Sequence, residues 1–347
     1  VTAVRLVSFD ATPLQVERRS GISHYVANHL EALIAEGGWR YALVASRRLR
    51  GRIPPGTEGH VGPRFPNRSL WMQLLLPGII RRLDPAICHF SNSLAPLACP
   101  RPHVVLVHDV SLFLYPGTQT AATHLTVRTL MPRIARQADA LLTVSESARR
   151  DIVEVLRVDP AKVHVIASAP APMFRPVEDG AVLEGVRRKY GVTDPYVLAV
   201  GTIEPRKNLS RLIDAYRILV SRGYVERLVV AGQLGWKYRD FLRRLERSGL
   251  HDRVRLLGYV PDEDLPALYT LARALAFPSL YEGFGLPAVE AMACGTPVVT
   301  SNRSAMLEVG QGAAALVDPM SAEDIAAGID RVLGDESLRA ELRAAGF

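Results

Sequence analysis

The chain has 347 residues, 48% of them hydrophobic, and 42 Lys/Arg set against 35 Asp/Glu leave a net charge of +7. That apolar content argues against a disordered chain, and the length suffices to bury two cores of ordinary size. Cys88, Cys99 and Cys294 are odd in number and lack metal-type spacing, which argues against a disulfide framework or structural zinc and for a reducing, cytoplasmic compartment.

From the N-terminus, Arg5 to Phe9 reads as a buried strand and a polar loop runs through Arg18-Arg19-Ser20. Gly21-Ile22-Ser23-His24-Tyr25 then opens a helix with Ile22, Val26, Leu30 and Leu33 on its apolar side. Apolar runs near Tyr41, Ala86, Val104, Leu141 and Val163 predict further strands, and a second series lies near Val197, Leu228, Val254, Leu275, Val298 and Ala314. Strands alternating with helical patterns predict two α/β domains, each a parallel sheet covered on both faces. Between the two series, Ala167-Ser168-Ala169-Pro170-Ala171-Pro172-Met173-Phe174-Arg175-Pro176 is too rich in proline for a strand or helix interior and reads as a hinge. We place the first domain at 1–172 and the second at 173–347.

Charge is uneven along the chain: residues 1–190 carry 24 Lys/Arg against 15 Asp/Glu, a net of +9, and residues 191–347 carry 18 against 20, a net of −2. Arg47-Arg48-Leu49-Arg50-Gly51-Arg52 concentrates the basic charge, and the hydrophobic segment Leu70 to Ile80 is flanked by Arg68 and Arg81-Arg82. Two readings stay open for it. It suits peripheral contact of a basic first domain with a membrane surface or a polyprenyl-diphosphate acceptor; alternatively Trp71, Leu74, Leu75 and Ile79 are core, and the excess of arginine over four lysines is compositional bias. No apolar run is long enough to span a bilayer and no signal-peptide pattern opens the sequence. The basic patch lacks interleaved aromatic residues, which argues against nucleic acid as a partner.

The most informative stretch is Tyr281-Glu282-Gly283-Phe284-Gly285-Leu286-Pro287-Ala288-Val289-Glu290, which follows the apolar run Ala274 to Phe277 as a strand-to-helix turn. Pro287 suits a first helical turn, where free backbone N–H groups face any anion placed there. Glu282 sits beside that anion, and Glu290, about one turn into the helix, is placed to accept hydrogen bonds from ribose-type diols. The same glycines match a dinucleotide fingerprint, but the next strand, Pro297 to Thr300, ends in Ser301-Asn302-Arg303 without the acid such a site needs. Upstream, Val200-Gly201-Thr202-Ile203-Glu204-Pro205-Arg206-Lys207-Asn208-Leu209 puts adjacent Arg206 and Lys207 at a strand's carboxyl end, where they can neutralise a diphosphate or, on the loop alone, stand as a solvated basic pair. His108-Asp109 ends the run Val104 to Val107, another ligand-facing position in an open α/β sheet. Asp262-Glu263-Asp264 has the look of a metal-binding D-x-D, but after Pro261 and before Leu265, Leu268 and Tyr269 it reads as acids complementing a helix N-terminus, so no catalytic metal is expected.

Glu282 and Glu290, with Gly283-Phe284-Gly285-Leu286-Pro287 between them, resemble the E-x7-E signature of retaining glycosyltransferases of family 4. The resemblance implies a GT-B fold, two Rossmann-like domains with parallel sheets facing across a cleft. It implies a hexosyltransferase that needs no cofactor and moves a hexose from a nucleoside-diphosphate sugar to a glycan or lipid-linked saccharide, at the inner face of the cytoplasmic membrane. By the same resemblance, His108, Glu282, Arg206 and Lys207 form the catalytic set, with His108 near the hexose 6-hydroxyl. Glu282 and the backbone of Gly283, Phe284, Gly285 and Leu286 then hold the hexose and the phosphate edge, Glu290 the ribose, and Val260 the base. The Gly201 to Leu209 loop is similar to that of bacterial mannosyltransferases of polysaccharide assembly, which makes GDP-mannose the first donor expected; Thr202 stands where many members carry a phosphate-binding Arg. Gly21 matches the first glycine of a Gly-Ile-Gly-Arg-Tyr segment that approaches the donor phosphates, whereas Ser23 and His24 depart from it, and simple helix capping remains the alternative for Gly21. Retention is expected through same-face attack, the departing phosphate oxygen taking the acceptor proton. A nucleotide-sugar epimerase and a noncatalytic sugar-nucleotide-binding protein are the competing readings. Relatives end in a helix that crosses back to the first domain, expected here beyond Ala345-Gly346-Phe347, and Val1 reads as a trimmed start.

Overall fold

The computed structural model describes residues 5–16, 21–49, 55–63, 65, 67–192 and 195–347. The Arg18-Arg19-Ser20 loop, the Arg50-Gly51-Arg52 half of the basic patch and Val1 lie outside the described residues. The chain separates into two compact units, one of Val1–Pro116 with Ala121–Ser168, the other of Ala169–Phe347 with Gly117–Thr120. The division thus falls within the proline-rich segment, at Ser168/Ala169 rather than after residue 172, and a four-residue loop of the first half groups with the second.

The first unit is a seven-stranded sheet of β1 (Arg5–Asp10), β2 (Trp39–Ala45), β3 (Thr57–Val61), β4 (Ile87–Phe90), β5 (His103–Leu106), β6 (Ala140–Thr143) and β7 (Val163–Val165). All its pairings are parallel, in the order β3-β2-β1-β4-β5-β6-β7. The apolar runs named above account for every strand but β3, whose sequence Thr-Glu-Gly-His-Val has neither alternation nor a continuous apolar run. An edge position explains it: β3 pairs only with β2, from Tyr41↔Thr57 to Ala45↔Val61, and leaves its side chains half-exposed, with Glu58 paired to Arg40. The Leu70 to Ile80 segment folds as two short helices, Arg68–Leu74 and Leu76–Leu83. Trp71, Met72, Leu76 and Ile80 are fully buried, and Leu75 and Ile79 pack against that core. Leu70 and Leu74, by contrast, are 50% and 65% exposed.

The second unit is a six-stranded parallel sheet of β8 (Tyr196–Val200), β9 (Arg227–Ala231), β10 (Val254–Gly258), β11 (Ala274–Phe277), β12 (Val298–Ser301) and β13 (Ala314–Val317). Its order is β10-β9-β8-β11-β12-β13. β8 and β11 lie at its centre and are almost wholly buried, as unbroken Val/Leu/Ala runs covered on both faces must be. Two apolar layers flank the sheet: Leu212, Ile213, Tyr216 and Ile329 on one side, and Leu268, Tyr269, Ala288 and Met306 on the other. Strand order reverses between β8 and β11, so the loops leaving their carboxyl ends diverge around a crevice, the place where open α/β sheets bind ligands.

Candidate functional site

Those two divergent loops carry Arg206, Lys207 and Glu282. After β8, Glu204 leads into a short 3-10 turn, Pro205–Lys207, and Asn208 at φ 59° redirects the chain into the helix Leu209–Ser221. Asn208 is buried, and its amide donates to the carbonyls of Pro278 (2.9 Å) and Pro319 (2.7 Å), while Leu280 N donates to Arg206 O at 2.9 Å. The post-β8 loop is therefore stitched to the post-β11 loop through the backbone before any charged side chain is considered. Arg206 Nη1 then donates to Glu282 Oε2 at 2.7 Å and to Tyr281 O at 2.9 Å, and Lys207 Nζ donates to Glu282 Oε1 at 2.7 Å. Lys207 also lies over the Phe277 ring, 4.6 Å from its centroid, a favourable place for a cation.

Glu204 has a part that the sequence reading did not assign. Its Oε1 accepts from Arg206 Nη2 at 2.6 Å, so the guanidinium is held between two carboxylates, and its Oε2 is buried with no hydrogen-bond partner among the described residues. Only the fold reveals this, since Glu204 and Glu282 are far apart in sequence. Two acids and two bases thus meet with little solvent access. Burial opposes charge on Glu282, but Arg206 and Lys207 outweigh it and hold the carboxyl down to about 2. Burial raises the Glu204 carboxyl against the opposing pull of Arg206 and Lys207, and lowers the Lys207 amine against the pull of Glu282. The arrangement is a preorganised, nearly dry cluster of two carboxylates and two cations.

The rest of the turn is shaped by Gly285, which caps the helix Leu286–Ala293 at φ 101°, a conformation that favours glycine; an added Cβ there would stand 2.0 Å from the Met306 methyl carbon. Gly283 is buried, and Phe284 and Leu286 are half-buried beside it. Glu290 is the fifth residue of that helix, and its Oε2 accepts from the buried Tyr269 hydroxyl at 3.0 Å, which fixes the carboxylate's direction. Thr202 follows β8 and presses its methyl toward Gly235, where an added Cβ would meet it at 2.6 Å. Val260 is buried two residues beyond β10, so all of these positions share the sheet's carboxyl edge. Asp264 accepts from Lys189 Nζ (2.6 Å) and Tyr190 OH (2.5 Å) ahead of the helix Leu265–Leu271, away from the Glu282 cluster in its bonding.

In the first unit, His108 lies two residues past β5, with Nε2 3.2 Å from Ser91 O just beyond β4. The Tyr25 ring meets it edge-on at 5.2 Å between centroids, and Tyr25 in turn stacks on His29. Burial lowers the His108 pKa, with Asp109 opposing, so the neutral imidazole prevails at neutral pH. Asp109 itself caps the next turn, accepting from Ser111 N at 2.8 Å. Gly21 begins the helix Gly21–Glu36, exposed, with nothing within 4 Å of where a Cβ would stand. Ser23 is buried and donates to Pro13 O at 2.9 Å, a bond that a glycine at this place could not make.

Two parallel α/β units, the second with an acid-and-cation cluster at its strand-order reversal, have the make-up of the GT-B fold. Over 99% of the chain the fold matches sucrose-phosphate synthase (tll1590) from Thermosynechococcus elongatus, with TM-score 0.79, 20% identity and 93% of that chain covered. It also matches Anabaena Alr3699/HepE, solved in complex with UDP and glucose, with TM-score 0.77 and 19% identity over 99% of this chain and 93% of that one. Residues 19–169 match the family described as Glycosyltransferase Family 4, and residues 186–347 that described as Glycosyl transferases group 1. The O-antigen chain mannosyltransferase B of Escherichia coli is 33% identical over 283 residues, 81% of this chain and 72% of that protein. The chain belongs to glycosyltransferase family 4 and is a hexosyltransferase.

Proposed function

We propose that the chain is a retaining mannosyltransferase of polysaccharide assembly that uses GDP-mannose and extends a glycan or a polyprenyl-diphosphate-linked saccharide. The observation that carries this reading is the convergence of Arg206 and Lys207 on Glu282 at the reversal of strand order. The similarity to O-antigen chain mannosyltransferase B supports mannose as the sugar. On this reading Glu290, oriented by Tyr269, takes the ribose, and backbone near Val260 lies beside the base. Lys207, Arg206 and the N–H groups of Phe284 to Leu286 stabilise charge on the diphosphate as the glycosidic bond to it breaks. Glu282 accepts from hexose hydroxyls while holding the two cations. The acceptor proton passes to the departing phosphate oxygen, so the reaction requires no separate base. The exposed Leu70 and Leu74 support peripheral contact with a membrane surface.

The test is incubation of the purified protein with GDP-mannose, UDP-glucose and related donors together with lipid-linked oligosaccharide acceptors, followed by product analysis. A new α-mannosyl linkage with released GDP is the expected outcome. Isomerised donor without an acceptor product would reassign the protein as an epimerase, and binding without turnover on any acceptor would reassign it as a sugar-nucleotide-binding protein.

A further inference from the structure

On the outer surface of the second unit, the helices Leu209–Ser221 and Arg239–Arg247 pack side by side and leave a cavity of about 540 Å³ between them. The first helix lines it with Ser210, Asp214 and Arg217, the second with Asp240, Arg243, Arg244 and Arg247, and Ser248 closes the end. Spacings of three and four place these residues on one face of each helix. The opposite faces, with Leu212, Ile213 and Tyr216 on one helix and Phe241 and Leu245 on the other, are buried in the core. The polar face is therefore fixed by the packing of the apolar one.

Ion pairing consumes only half of the positive charge. Arg244 grips Asp214 across the groove with two donors, Nε to Oδ1 at 2.7 Å and Nη2 to Oδ2, and Arg243 pairs with Asp240 one turn earlier on its own helix. These pairs neutralise both acids of the groove, and the Arg244–Asp214 pair ties the two helices together. Arg217 and Arg247 are left exposed, without a hydrogen bond or ion pair among the described residues. Two uncommitted guanidinium forks lining one groove, with both acids already neutralised, suit a phosphoryl dianion, which accepts hydrogen bonds in the plane of a guanidinium. The volume lies in the range of small-ligand pockets. No aromatic residue lines it, so a base would find no stacking surface, whereas Ser210 and the carboxylates offer partners for hydroxyls.

We propose that this groove binds a phosphorylated monosaccharide at a site separate from the donor cluster. The proposal does not depend on which sugar the enzyme transfers. It is tested by calorimetric titration of the full chain with a hexose 6-phosphate at low ionic strength, with the unphosphorylated hexose as control. The wild type and the Lys207→Ala variant are expected to bind equally and the control not at all. Arg217→Gln/Arg247→Gln is expected to bind at least about tenfold more weakly while keeping the wild-type melting temperature and the wild-type rate of transfer. Unchanged binding by that double variant, binding lost instead in Lys207→Ala, equal binding of the unphosphorylated hexose, or no saturable binding to the wild type would each overturn the proposal.

Discussion

Glu282 is buried and still ionised because Arg206 and Lys207 reach it from a neighbouring loop, and the charge of each partner depends on the others. Losing one preorganised donor to a developing anion costs about 3 to 4 kcal/mol, or roughly a hundredfold to a thousandfold in rate. Lys207→Ala should lose turnover on that scale while keeping its circular dichroism spectrum; near-normal transfer by the folded variant would remove Lys207 from the mechanism. The same cluster predicts a pH effect. The Glu282 carboxyl titrates at about 2 in the folded chain against an ordinary 4.5. Its contribution to stability is thus complete above about pH 4.5 and is lost as pH falls toward about 2. Glu282→Gln removes that group, so its denaturant midpoint should change less than the wild type's across this interval, and identical profiles would contradict the assignment. The two glutamates of the signature stood out in the sequence because the glycines between them are unusual, but the bond from Tyr269 to Glu290 and the second carboxylate on Arg206 join residues that only folding brings together.

Among the elements, the turn from β11 into the helix Leu286–Ala293 matters most for the site, because its backbone N–H groups and Glu282 are set by one residue's conformation. Gly285→Ala places a side chain at φ 101°, and its Cβ meets the end of the flexible Met306 side chain. Met306 is itself fully buried, so the clash adds a packing cost to backbone strain of about 1–3 kcal/mol. We expect a lower denaturant midpoint for Gly285→Ala; an unchanged midpoint would show that neither the conformation nor the packing of this turn requires the glycine. Legibility at this scale followed burial. Strands covered on both faces announced themselves as apolar runs, whereas β3, supported by backbone pairing at one edge, has no such pattern. The Leu70 to Ile80 segment left two readings open, and folding divided it: Trp71 and Ile80 went to the core, Leu70 and Leu74 to the surface.

At the scale of the molecule, each unit has its own apolar cores, and none of the core clusters mixes residues of the two. Among the described residues no helix is long and apolar enough to cross a membrane. Separate cores predict two calorimetric transitions. A nucleoside diphosphate should raise the one belonging to residues 169–347, by mass action on the state that binds it, and Lys207→Ala should abolish that shift. A single transition would contradict independent unfolding of the two units, and equal shifts of both would contradict the assignment of the diphosphate to the second. What the amino-acid order determined by itself was the alternation of strand and helix, the proline-rich break and the glycine-framed pair of glutamates, because periodicity, proline and glycine act through the local backbone. The tertiary structure alone decided that β8 and β11 would be neighbours, that Arg206 would be held between Glu204 and Glu282, and that two arginines would be left unpaired in an outer groove. Those outcomes depend on which distant segments pack together, and electrostatic partners are chosen only once the apolar faces have been buried.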